Sequence, residues 1–301
     1  MTEQQGDQDF VKANNKVPFS LTQVGLQTKY EFLNYFRSRR FYILLTIGII
    51  IAILLTGIVG YFRPSSFLTS SLSFYSSWWG TSATFVVILS GIFFGGDAIS
   101  AEFQNKTGYY LVPNPIRRSS IYIGKWIAAF FAASIILGIF TAITIANGAF
   151  YFGANIPYEF AESLLFSWIY LISVLGFTFF FSSLFKSTSY SILVTAILFL
   201  FAFTVVQDVV SSLAQIEPWF IITYGASIIG NVLTPTGYPA HKVITHGFGG
   251  GFGGGGGSTN PNAPAFTTFN ATIPEGLAIM LIYFAVTSVL GLVLFERKEF
   301  N

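Results

Sequence analysis

Long apolar runs separated by short polar stretches set the pattern of this chain. They cover 41–62, 78–99, 121–152, 164–185, 190–210 and 276–295, are rich in Ile, Leu, Phe and Val, and are nearly free of charge in their middles. About 20 apolar residues in a helix cross the hydrocarbon core of a bilayer, so the pattern predicts six transmembrane helices. A membrane β-barrel would instead alternate polar and apolar positions over about ten residues. Ahead of the first run the period changes. Gln23, Gln27, Glu31, Asn34 and Ser38 fall on one helical stripe, and Leu26, Tyr30, Phe32, Leu33 and Phe36 cover the rest. This predicts an amphipathic helix over 20–40, begun at Ser20 after Pro18, lying along the inner membrane face with Arg37, Arg39 and Arg40 at anionic head groups. The competing reading is a water-exposed helix packed on another protein. Residues 1–19 read as a polar tail.

The charges then orient the spans. Twelve of the 15 Lys and Arg precede the first run, lie between the second and third or the fourth and fifth, or follow the sixth, and Lys125 sits just inside the third run on the same side, whereas Arg63 and Lys242 fall on the other side. By the positive-inside rule both termini are cytoplasmic. The polar first forty residues and the length of the first run predict a retained anchor, not a cleaved signal peptide.

Composition narrows the chemistry. Only 9% of residues are charged and 53% are hydrophobic, against roughly a quarter charged in soluble domains. A net charge of +2 argues against a nucleic-acid partner, and with no cysteine there is no disulfide framework or thiolate metal site. The two histidines, His241 and His246, read as ordinary loop residues, since zinc needs three or four placed ligands. No metal or cofactor is expected in this chain. No phosphate-binding Gly-Lys-Ser/Thr follows the Gly-rich segment 247–257, which reads as a flexible linker. Catalytic residues are expected to be none. Asp97 and Asp208 close spans near the interface, where both can be solvated, and no carboxylate sits at mid-bilayer as a proton-coupled carrier requires.

Two connections carry the remaining signal. The inner loop 100–120 sets Glu102, Lys106, Arg117 and Arg118 among Phe103, Tyr109, Tyr110 and Leu111. That mixture suits a docking surface as well as interfacial anchoring. The outer connection 211–275 holds an apolar piece, 218–233, too short to span and therefore predicted as a re-entrant or interfacial helix. It ends in Asn270-Ala271-Thr272, an outward-facing sequon that makes Asn270 a candidate glycosylation site. A tail, 296–301, follows the sixth run.

Residues 91–126 resemble a known family. The run Gly95-Gly96-Asp97-Ala98-Ile99-Ser100-Ala101-Glu102-Phe103-Gln104-Asn105-Lys106-Thr107-Gly108 is followed by Leu111, Pro115-Ile116-Arg117-Arg118, Ile121 and Gly124-Lys125. This is similar to the permease subunit of type-2 ATP-binding-cassette (ABC) exporters, with Thr107-Gly108 in reversed order. The C-terminal 295–300 resembles the same family's charged tail. The resemblance implies an all-α integral membrane protein of the prokaryotic plasma membrane that is not itself an enzyme. It implies a separate cytoplasmic ABC ATPase that carries ATP and magnesium, and a second permease copy or homologue. It implies an ATPase-coupling helix near Glu102, Phe103 and Lys106, flanked by Arg117 and Arg118, and re-entrant helices at 218–233. The alternatives are a non-transporting membrane scaffold and a membrane-embedded lipid enzyme, the latter needing an acid–base cluster that the sequence does not show.

Overall fold

A computed structural model describes residues 20–105, 117–246 and 265–298. The tail 1–19, Lys106 and the Gly-rich segment 247–257 lie outside them. Among the described residues six helical stretches are long and apolar enough to cross a membrane. The first span is Arg39–Phe62. The second, Ser71–Gly95, passes through a tight turn into a short helix, Ser100–Gln104. The third is Arg118–Phe152, the fourth Tyr158–Leu184 and the sixth Ile273–Arg297. The fifth runs as Thr188–Ile197, a π-helical turn Leu198–Ala202, and Phe203–Ser212.

Capping explains where several helices begin. Ser70 accepts a hydrogen bond from the Ser73 amide at 3.1 Å and opens the second span seven positions before its apolar run. Pro157 precedes the fourth span, with Glu159 in its first turn, a placement that suits the positive end of the helix dipole. Thr272 and Glu275 form a capping box with Pro274 just inside the sixth span. Polar starters of this kind are invisible to a hydropathy reading.

The second and fourth spans form the centre. Most of the second span's apolar window is buried (72%), against 17% for the first span and 11% for the fifth. The outer surfaces of the first, fifth and sixth spans are therefore the lipid-facing or partner-facing ones, carrying Ile53, Leu54, Leu193, Phe201, Ile282 and Val289. Small residues bring the central helices together: a Cβ on Gly91 or Gly95 would collide with Val174 or Thr178 of the fourth span. This is the small-residue spacing expected where helices must approach closely in lipid. Ser173 ties the fourth span to the sixth by donating to the Met280 carbonyl at 2.6 Å.

The outer connection carries the apolar piece 218–233, for which the pattern alone predicts one re-entrant or interfacial helix and the resemblance several. It forms two short helices, Ile222–Ala226 and Ile228–Asn231, with Ile222, Tyr224, Ile228 and Ile229 fully buried. Trp79 donates to Ser163 Oγ at 3.0 Å, and Ser163 donates to the Ile229 carbonyl at 2.6 Å. Broken backbone at this position is tolerated because protein, not lipid, surrounds it. An antiparallel pair, β1 (Lys242–His246) and β2 (Ala265–Phe269), flanks the Gly-rich segment. The sequence reading did not predict it.

Candidate functional site

The cytoplasmic end of the bundle, as the charges orient it, gathers the polar groups. The amphipathic helix Ser20–Arg37 runs against the start of the third span. Its two faces are arranged inside out relative to a soluble helix. Leu21, Leu26, Tyr30, Leu33 and Phe36 are exposed, whereas Gln23 is buried and Gln27 and Glu31 turn toward the protein. An apolar face left outward beside a row of spans belongs in lipid. Gly124 permits the close approach: a Cβ there would sit 2.7 Å from Gln27 Cβ and 3.2 Å from the Val24 carbonyl. Thr28 donates to the Gly124 carbonyl at 3.3 Å. Ser38 breaks this helix from the first span, accepting from the Phe41 amide.

Lys125 is the centre of the cluster. Its side chain is 6% exposed, and its ammonium lies 2.6 Å from Glu31 Oε1 and 2.8 Å from Glu102 Oε1. One cation therefore joins the amphipathic helix, the short helix after the second span and the third span. Nearby, Arg40 pairs with Asp97. Asp97 is 4% exposed, so the expectation of a solvated carboxylate is corrected: the tight turn after Gly95 folds it under the amphipathic helix, where only a paired charge is tolerated. Tyr35 donates to the Phe94 carbonyl at 3.0 Å. Burial, then the carboxylates of Glu31 and Asp97, push its phenol well above the usual tyrosine range.

The turn itself is held by the fourth and fifth spans. Ser182 Oγ accepts from the amides of Ile99 and Ser100 at 2.9 and 3.0 Å, Ser191 donates to the Gly96 carbonyl, and Gln104 Oε1 accepts from both the Thr188 amide and hydroxyl at 2.7 Å. The C-terminal end closes the ring. Arg118 donates to the carbonyls of Glu296 and Lys298 at 3.1 and 2.9 Å. Lys298 in turn donates to the carbonyls of Ser183, Leu184 and Phe185 and sits 4.3 Å from the centre of the Phe103 ring. Burial and the neighbouring Lys186 push its ammonium down to about 8.

The sequence-predicted residues divide. Glu102 and Phe103 point inward, the first onto Lys125 and the second against Phe295. Arg118 binds the end of the sixth span, while Arg117 is exposed and donates its backbone amide to Gln23 Oε1 at 3.3 Å. Asn105 is exposed beside them. Asn270 lies far off on the outer side, where its amide donates to the Ala240 carbonyl at 2.9 Å. Sequence reasoning passed over Lys125, Glu31 and Ser182 as site residues. Lys125 was findable as a charge inside an apolar run, a placement that marks a partnered residue.

A row of spans with a polar, cross-braced cytoplasmic end defines a multi-pass membrane protein. Residues 28–300 match the family described as ABC-2 family transporter protein, and the chain belongs to that family. No curated relative matches the chain. It is thus a membrane component of an ABC transporter, in a family that works with an ABC ATPase and is generally not itself catalytic.

Proposed function

We propose that this chain is the permease of an exporter, that two copies or homologues form the substrate path, and that a separate ATPase drives it through the loop 100–120. The observation that carries this reading is the Lys125 bridge. A load applied at the short helix Ser100–Gln104 reaches the amphipathic helix through Glu102, Lys125 and Glu31, reaches the fourth span through Ser182, and reaches the sixth through Phe103, Phe295 and Lys298. Closure of an ATPase dimer below would therefore turn these elements as one body instead of bending a free loop, a rigid-body switch. Glu102 and Phe103 act by rooting the loop, and Asn105 and Arg117 are the outward candidates for the contact, with Lys106, next in sequence, a further candidate. The lipid-facing polarity of the amphipathic helix supports a part that moves in the plane of the inner leaflet.

The experiment is purification in mild detergent from the native host with mass spectrometry of the co-eluting chains. The reading expects a stoichiometric soluble subunit bearing a Walker motif, weakened by the paired substitution Glu102→Ala and Phe103→Ala. Recovery of the chain among other membrane proteins with no ATPase would overturn it in favour of a scaffold.

A further inference from the structure

On the opposite side of the molecule three potential metal ligands converge from three separate segments. Glu217 comes from the loop after the fifth span, His241 from the residue before β1, and Glu275 from the first turn of the sixth span. One ligand atom from each lies within 4.8 Å of the others. His241 Nε2 is 3.2 Å from Glu217 Oε2.

The surroundings orient each ligand. The His241 Nδ1 faces the Asn270 carbonyl at 2.9 Å. A carbonyl can only accept, so Nδ1 carries the proton, and in the neutral ring Nε2 turns a lone pair toward the carboxylates. Backbone carbonyls fix metal-binding histidines in this way. Tyr224 donates to Glu217 Oε1 at 2.7 Å, which leaves Oε2 toward His241. The Thr272 amide donates to Glu275 Oε2 at 3.2 Å. A nitrogen lone pair and two carboxylates meeting at one point need a positive charge among them: a proton, on the imidazole or shared in the hydrogen bond between Glu217 and Glu275, or a metal ion.

We propose that Glu217, His241 and Glu275 bind a divalent transition-metal ion, of which zinc is the representative, and that the ion clasps the outer loops to the start of the sixth span. One imidazole and two carboxylates suit zinc and its first-row neighbours better than magnesium or calcium, which take all-oxygen sets. Bonds of about 2.0–2.2 Å place tetrahedral ligand atoms about 3.3–3.6 Å apart, so binding requires the side chains to close in by roughly an ångström from separations of up to 4.8 Å. His241 and Glu217 are 43% and 28% exposed, so they are reachable from outside and free to make that adjustment. Solvent completes the coordination. The clasp is a feature of this chain independent of the ATPase partner.

The test uses the full chain in lipid nanodiscs, purified with a tag free of histidine. Zinc chloride is titrated by calorimetry, and metal content is measured after dialysis. One equivalent of zinc per chain is expected, with a raised melting temperature. His241→Ala and Glu217→Gln should each weaken binding by at least about tenfold, while His246→Ala leaves it unchanged. Magnesium should not compete. Failure of the wild-type chain to bind zinc, or binding that survives both His241→Ala and Glu217→Gln, overturns the proposal. A melting temperature that rises only as pH falls through the histidine range, with no metal effect, assigns the cluster to an imidazolium ion pair instead. Should either variant misfold, competition of zinc by a chelator on the wild-type protein, read as a fall in melting temperature, decides the same question.

Discussion

Substituting Lys125 by Met removes the ammonium that bridges Glu31 and Glu102 while preserving most of the side chain's bulk. At an effective dielectric of 20, contacts of 2.6 and 2.8 Å correspond to about 6 kcal/mol of gross attraction each, opposed by desolvation of all three groups. The two carboxylate oxygens touch one nitrogen and so lie within about 5.4 Å of each other, which leaves at least about 3 kcal/mol of mutual repulsion once the cation is gone. Breaking a buried pair from one side typically costs about 3–5 kcal/mol. Lys125→Met should therefore lower the melting temperature of the nanodisc-embedded protein by roughly 10 °C. It should also loosen the amphipathic helix, read as faster proteolysis between 20 and 38. The triple variant Lys125→Met, Glu31→Gln, Glu102→Gln should recover most of the loss, because the mutual repulsion of the two carboxylates goes with the cation. A single variant that melts within a degree of wild type, or a triple variant no better than the single, would refute the reasoning.

Three further outcomes are expected. Ser182→Ala strands two buried amides and should cost about 1–3 kcal/mol, whereas Ser183→Ala, next to it, removes a hydroxyl with no partner among the described residues and should change the denaturation midpoint little. Gly124→Leu should push the amphipathic helix off the third span and lower the melting temperature, while Gly138→Leu, with nothing within 4 Å of its added Cβ, should be tolerated. Lys298 loses its proton near pH 8 when folded but keeps it to 10.5 when unfolded. The unfolded chain then binds more protons, so this group's contribution to stability rises with pH across that window. Melting curves from pH 7 to 10.5 should show that rise in wild type and its loss in Lys298→Met.

Much of the fold was legible because bilayer thickness imposes length on apolar runs, and six runs leave little freedom. The polar stripe of the amphipathic helix was legible too, but not that it packs against the third span. In water Gln27 and Glu31 would face out; beside a row of lipid-facing helices the preference inverts, and they turn inward. Asp97 was misjudged for a related reason. Its position in the sequence gives depth along the span but not the tight turn that folds it beneath Arg40. Hydropathy could not show that 218–233 breaks into two helices, since the break depends on Ser163 and Trp79, far away in sequence. The Thr272–Glu275 capping box was readable from its Thr-x-x-Glu spacing. The convergence of Glu217, His241 and Glu275 was not, because it joins segments tens of residues apart. Glu102 and Phe103 were found from a motif, whose text carries no side-chain direction.

The central claim is that the loop beginning at Ser100 bears on an ATPase, and the absence of cysteine makes it directly testable. A single cysteine at the exposed Asn105, carrying a photo-activatable maleimide, is compared with one at the exposed Ala214 on the outer side. Irradiated in native membranes, the label at 105 is predicted to capture a chain bearing a Walker motif and to block its nucleotide-dependent activity, while the label at 214 captures none. Capture of no ATPase from position 105, with the label shown to be reactive there, would contradict the account.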